Sequence, residues 1–207
     1  MKVLVVVPTR LGSTRLPNKP LYKIKGREMI LRVMDRLQGF ESIVACPDGE
    51  IAELVLTNGY DVFLTQEKAE CGTDRLVELA KSIKADIYVN VQGDEPLIAT
   101  ETINKVIQAK ISNPDKVVCG MTYLDSSTDC VKVLVTREKP VLSRKLYKQV
   151  GIYAFNEMDL QEFGQLGGAT EDIEITRYPS ERLLFVEVEE SQDVNVLADI
   201  KKVESML

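Results

Sequence analysis

The chain has 207 residues, 44% hydrophobic and 28% charged, the composition of an ordinary globular fold with enough apolar residues for one large core or two small ones. A formal net charge of −6 and a pI near 5.0 argue against a general nucleic-acid binder, and no apolar run approaches the ~20 residues that span a bilayer. With no histidine and four scattered cysteines (Cys46, Cys71, Cys119, Cys130), neither a zinc site nor a histidine-based triad is expected.

The run Met1–Val7 is continuously aliphatic after Lys2 and predicts a strand buried on both faces, at the centre of a parallel sheet. The loop from Pro8 to Pro20 carries Arg10, Arg15 and Lys19, with Thr9, Gly12 and Ser13, stiffened by three prolines. A cationic loop at the C-terminal end of a central strand is where open α/β sheets bind ligands, and its chemistry suits polyphosphate. Composition alone fits a solvated basic loop equally well; the position after the first strand favours a site. The loop has neither a P-loop nor a dinucleotide fingerprint.

Apolar residues at 30, 33, 34 and 37 predict a helix closed by Gly39, followed by a strand over 42–46, a helix over 50–57 and a strand over 60–65. This β-α-β-α-β alternation marks a doubly wound sheet. Gly72-Thr73-Asp74 opens a helix running through Lys81; alone, it reads as no more than a cap. The strand over 85–91 ends in Gln92-Gly93-Asp94-Glu95-Pro96. Its carboxylates suit Mg²⁺, and it equally fits an acidic turn capping a helix over 102–109. Strands are expected over 117–122, 130–135, 148–153 and 183–188, with a helix over 155–163 and, after the turn over 192–200, a last helix to Leu207. Asp193 precedes that last helix, where an N-cap is one reading of it. No repeat or linker interrupts residues 1–207, so a single domain is expected, with reduced thiols that fit a cytoplasmic location.

These motifs together resemble the 3-deoxy-manno-octulosonate cytidylyltransferase (CMP-KDO synthetase) family, of which the chain looks like a shortened and divergent member. The likeness rests on Pro8, Arg10, Ser13, Arg15, Pro17, Lys19, Pro20 and Leu21; on Cys71-Gly72-Thr73-Asp74-Arg75, with Cys71 where the family has Ser; and on Asn90–Pro96. It continues more loosely through Val131–Val133, Ser143-Arg144, Lys148–Tyr153, Glu174–Arg177 and Asp193. The resemblance implies an α/β, Rossmann-like three-layer nucleotidyltransferase fold with a mostly parallel, mixed central sheet. It implies transfer of CMP from CTP to KDO or a similar sugar acid with release of pyrophosphate, Mg²⁺ as cofactor, a homodimer, and a part in lipopolysaccharide synthesis without nucleic-acid or membrane partners.

By the same resemblance, Pro8, Thr9, Arg10, Gly12, Ser13, Lys19, Cys71, Gly72, Thr73, Arg75, Gln92 and Gly93 bind the nucleotide. Arg10, Arg15, Lys19 and Asp94 act in catalysis, and Asp94 and Asp193 hold the metal. Arg144, Gln149, Tyr153, Glu174 and Arg177 face the acceptor. Three departures bear on that acceptor: a long loop before residue 148 is missing, Gln149 stands where the family has His, and Ile175 where it has Gln. The expectation is that KDO is a poor substrate or not the true one, with a smaller or less polar acid preferred. The alternatives are a nucleotidyltransferase of this fold with another acceptor, and a nucleotide-binding relative without acceptor activity.

Overall fold

A computed structural model of the chain describes residues 1–13, 15–66, 68–123, 132–133, 147–166 and 174–207. Strand β1 (Val3–Pro8) leads through the basic loop and a 3-10 turn (Lys19–Leu21) to a hairpin, β2 (Lys23–Ile24) and β3 (Arg27–Glu28). Lys25 and Gly26 turn that hairpin with positive φ of 44° and 77°, the handedness a two-residue connection needs. Then come α1 (Met29–Arg36), β4 (Ser42–Cys46), α2 (Gly49–Thr57), β5 (Asp61–Leu64), α3 (Gly72–Ser82), β6 (Ile87–Val91), α4 (Thr100–Ser112) and β7 (Val117–Tyr123). The chain continues with β8 (Lys132–Val133), β9 (Tyr147–Phe155), α5 (Glu157–Leu166), β10 (Leu183–Glu187) and α6 (Leu197–Met206).

The main sheet has the order β10-β7-β9-β6-β1-β4-β5, with β8 paired on β9. β1 lies between β4 and β6, parallel to both. Among the described strands of this sheet, only β9 runs against the rest, inserted antiparallel between β6 and β7. The fold is therefore α/β with the mostly parallel, mixed sheet expected. The period-2 alternation of β1 divides the core. Val5 and Val7 pack on one face with α1, α2 and α4, and Leu4 and Val6 on the other with α3 and α5. A third, smaller cluster joins Leu16, Ile24 and Met29 to Val194, Ile200 and Val203, so α6 backs the basic loop and the hairpin. Among the described residues no helix is long and apolar enough to cross a membrane. Most of the expected 130–135 strand, and Arg144, lie outside the described residues.

One buried ionic network locks the far side of the molecule. Lys110 on α4 donates to Asp159 on α5 at 2.5 Å, and both side chains are only 1% exposed. Arg182 donates to the other Asp159 oxygen at 2.7 Å, and the Tyr178 hydroxyl to the Asp159 carbonyl. Burial presses the Lys110 pKa down, and Asp159 opposes that. Removing one member of such a pair leaves a buried charge without its partner, which typically costs about 3–5 kcal/mol. Asp159→Ala is expected to lose stability of that order in urea melts. A loss below about 1 kcal/mol would mean that water already reaches the Lys110 ammonium.

Candidate active site

Where β1 ends, its backbone is pinned before the loop begins. Thr9 N donates to the Ala45 carbonyl at 3.0 Å, and Leu11 N to the Asp48 carboxylate at 2.9 Å. The turn after β6 comes up against the same point. A Cβ on Gly93 would lie 3.2 Å from both the Pro8 carbonyl and Thr9 Oγ1, so glycine lets the two strand ends close on each other. The N-terminus of α3 forms the third wall, with Gly72 against the Pro8 ring.

Between these walls lies a cleft of about 320 Å³. Of the expected nucleotide and catalytic residues, Pro8, Thr9, Arg10, Gly12, Ser13, Arg15, Lys19, Cys71, Gly72, Arg75, Gln92, Gly93 and Asp94 all line it. Thr73 lies beneath the wall, its N–H donating to Glu174 Oε2 at 2.9 Å. Glu174, expected on the acceptor side, lines this cleft as well, and Pro20, Met29 and Ala69 complete it.

The cleft has an excess of positive charge. Arg75 is 2% exposed and donates to the Thr65 hydroxyl and the Gln66 carbonyl, at 2.6 and 3.1 Å. Burial and then the nearby Arg10 press its pKa down. Among the described residues no carboxylate lies within 4.0 Å of Arg10, Arg15 or Arg75. Lys19 does have one: its ammonium donates to Asp94 Oδ2 at 2.6 Å and to the Val194 carbonyl at 2.9 Å. Three unpaired guanidinium groups around one cleft suit a polyanion far better than a neutral ligand.

Asp94 and Asp193 sit on neighbouring segments, joined by the bond from Val194 N to the Asp94 carbonyl at 3.0 Å. Their side chains are 21% and 27% exposed, and each holds a lysine: Lys19 on Asp94, Lys148 on Asp193 at 2.8 Å. Two partly exposed carboxylates on adjoining segments, each already facing a cationic group, fit a hard divalent cation. Mg²⁺ binds proteins through one or two carboxylates and takes its other oxygens from phosphate and water. Glu95 differs from both. It is 2% exposed, accepts from Gly151 N at 2.9 Å, and its Oε2 has no hydrogen-bond partner. Ser191 Oγ faces it without reaching bonding geometry.

The remaining residues expected at the acceptor are placed elsewhere. Gln149 donates to the Tyr153 hydroxyl, and Tyr153 is buried in the sheet. Arg177 is bound to Asp74 at 2.8 Å and Glu70 at 3.0 Å and stacks over the Phe163 ring, so its charge is already paired. Neither Arg177 nor Gln149 lines the cleft.

Residues 4–192 match the cytidylyltransferase family model. The chain belongs to the cytidylyltransferase family. This cytidylyltransferase is 34% identical over 194 residues to 3-deoxy-manno-octulosonate cytidylyltransferase of Chlorobium chlorochromatii (strain CaD3), covering 80% of this chain and 78% of that one. It is also 34% identical over 188 residues to the Escherichia coli protein of the same name, with coverage of 80% and 76%. A solved CMP:2-keto-3-deoxy-manno-octonic acid synthetase complexed with CTP superposes with a TM-score of 0.88 at 30% identity, covering 100% of this chain and 98% of that one. A solved cytidylyltransferase from Leptospira borgpetersenii shares the fold, with a TM-score of 0.73 at 19% identity, covering 99% of this chain and 86% of that one. The cytidylyltransferase is thus a nucleotidyltransferase enzyme by family and by fold.

Sequence reasoning passed over Lys148 and the burial of Glu95. The signal for Lys148 was a lysine at the start of a strand that is apolar from Val150 onward; for Glu95 there was none beyond its place in the turn. Burial pushes the Glu95 pKa up to about 7; the Ser191 hydroxyl opposes this, Asp94 and Asp193 add to it, and the Gly151 N–H opposes it. A carboxyl with a raised folded-state pKa adds stability below its unfolded value near 4.5, and that stability is lost as pH rises through about 7. For the metal-free protein, the stability of Glu95→Gln relative to wild type is expected to climb by about 3 kcal/mol between those pH values. Urea melts across that range check it; a difference that does not vary with pH would show that Glu95 does not titrate there.

Proposed function

We propose that the enzyme transfers CMP from CTP to KDO or a closely similar sugar acid, releasing pyrophosphate, with Mg²⁺ held by Asp94 and Asp193. The observation that carries this reading is the cleft itself: Arg10, Arg15 and Arg75, none of them within ion-pair distance of a carboxylate among the described residues, beside Lys19 in contact with Asp94. Arg10, Arg15 and Lys19 hold the triphosphate and neutralise the charge that collects on the leaving pyrophosphate. Catalysis of this kind rests on alignment and charge rather than covalent chemistry. Lys19 has a second task, since its ammonium covers Asp94 until phosphate oxygens draw it away. When bound, Mg²⁺ supplies charge neutralisation at the α-phosphate and acidifies the attacking hydroxyl, which suits a chain without histidine. Gly93 lets the Asp94 turn approach the nucleotide, and the α3 N-terminus closes the other wall. The three free cysteines described, Cys46, Cys71 and Cys119, suit a reducing cytoplasm.

A second reading concerns the acceptor alone. Arg177 is already paired with Asp74 and Glu70, and Ile175 is 2% exposed in the core, so neither is presented to a sugar acid. That favours an acceptor smaller than KDO or one bound through other residues. Pyrophosphate release from each of the four nucleoside triphosphates, with Mg²⁺ and a panel of 2-keto sugar acids, tests both readings. CTP with KDO supports the first; CTP with a different acid selects the second. Tight CTP binding with no turnover on any acid overturns both.

Lys19→Ala and Arg10→Ala are each expected to lower kcat by roughly 10²–10³-fold. Thermal melting of Arg10→Ala should stay close to wild type, because Arg10 has no ion pair among the described residues. Asp94→Asn should abolish Mg²⁺-dependent turnover while metal-free CTP binding survives. Near-normal turnover of any of these at saturating CTP removes that residue from the mechanism.

A further inference from the structure

The two carboxylates assigned to the metal have lysine partners of different kinds. Lys19 belongs to a short turn in the basic loop and lines the cleft, so it can exchange Asp94 for phosphate. Lys148 cannot move in this way. It lies on β9, in register with Thr122 of β7 on one side and Lys132 of β8 on the other. Its ammonium, on a side chain 10% exposed, donates to Asp193 Oδ1 at 2.8 Å and to the Ser191 carbonyl at 3.1 Å. Asn195 Nδ2 donates to the other Asp193 oxygen at 2.5 Å, so each oxygen is aimed by one donor and keeps a lone pair free. The same strand grips the neighbouring turn through the Gly151 N–H on Glu95, where a Cβ on residue 151 would fall 2.8 Å from the carboxylate. Lys148 thus has Asp193 in contact and Glu95 and Glu190 nearby, while Asp94, bound to Lys19, lies beside Glu95.

We propose that Lys148 is a positioning residue for metal binding: it fixes the orientation of Asp193 and offsets its repulsion with the neighbouring Glu95, so that Asp193 is held in place for a cation. This rests on the reading of Asp94 and Asp193 as the Mg²⁺ pair. Without Lys148, Asp193 would be held by Asn195 alone and would turn away from Glu95. Donors that orient metal-binding carboxylates typically change metal affinity by about 10–100-fold when removed. A rival role is that Lys148 merely stands in for the cation and competes with it. The two roles differ in sign, since removing a competitor would tighten metal binding.

The test is Mn²⁺ binding in the presence of CTP and without acceptor, followed by electron paramagnetic resonance of the free ion, beside the Mg²⁺ concentration giving half-maximal pyrophosphate release. Lys148→Met and Lys148→Gln are expected to weaken Mn²⁺ binding at least tenfold and to raise the half-maximal Mg²⁺ concentration to match. The KM for CTP should change less than about twofold, and Lys148→Arg should recover most of the loss. Lys148→Gln can still bond the Ser191 carbonyl, so it serves if Lys148→Met does not fold. Unchanged or tighter Mn²⁺ binding in a folded Lys148 variant overturns the proposal. So does equal weakening of CTP and Mn²⁺, which marks a merely structural lysine. Asp193→Asn separates the two levels. If it leaves Mn²⁺ binding intact, the metal reading falls; if it weakens Mn²⁺ while the Lys148 variants do not, only the role of Lys148 falls.

Discussion

The cleft depends on one ion pair, Lys19 with Asp94, because three distant parts of the chain meet at that ammonium. The basic loop supplies the lysine, the turn after β6 supplies the carboxylate, and the segment before α6 supplies the Val194 carbonyl. At 15% and 21% side-chain exposure the pair is screened less than a surface ion pair, yet it stays accessible enough to be exchanged. The surrounding charge makes exchange reasonable. Arg10 lies close enough to Arg75 to press its pKa down, while Asp94 lies beside Glu95. Under the proposed function, phosphate would take the place of Asp94 beside Lys19, and a divalent cation the place of Lys19 beside Asp94.

That arrangement explains why the backbone around the cleft is so closely packed. Gly93 lets the β6 turn touch Pro8 and Thr9, and Gly72 brings α3 against the Pro8 ring. Side chains at these positions would hold the loops apart and lengthen every contact to a ligand set between them. The positions of the charges follow from the strand order, because β1 and β6 are direct neighbours and both end at the same edge of the sheet. The C-terminal edge of a parallel sheet is where such loops converge in open α/β folds.

Much of this was legible in the sequence, and what was missed has a common cause. The aliphatic run of β1, the helical spacing of α1 and the alternation through β5 are local patterns, and they fold as read. The basic loop and the Gln92–Pro96 turn were legible because unusual residues cluster within a few positions. The antiparallel insertion of β9 was not, since a strand's own residues do not encode its neighbours' direction. The β2–β3 hairpin was announced only by Lys25-Gly26 between two very short strands. Partners of charged residues were least legible. Lys110 meets Asp159, and Lys148 meets Asp193, across sequence separations that no local spacing reveals. Glu95 looked like a second acid of the turn, and only the packing of β9 shows that it points inward.

The segment from Glu174 to Arg177 shows how packing can give new meaning to a departure from a family pattern. Ile175 replaces a polar residue and is buried with Leu76, Phe163 and Tyr178 on the α3–α5 side of the sheet. Its neighbours turn the opposite way, toward the first turn of α3. Glu174 accepts from Thr73 N and also lies near the Asn90 amide, and Arg177 binds Asp74, which itself accepts from the N–H groups of Glu70 and Cys71. The segment is therefore a brace on the helix start that forms one wall of the nucleotide cleft. An apolar residue at 175 anchors that brace better than a glutamine, whose amide would need partners in a core that offers none. In this chain the segment acts on the nucleotide wall through α3.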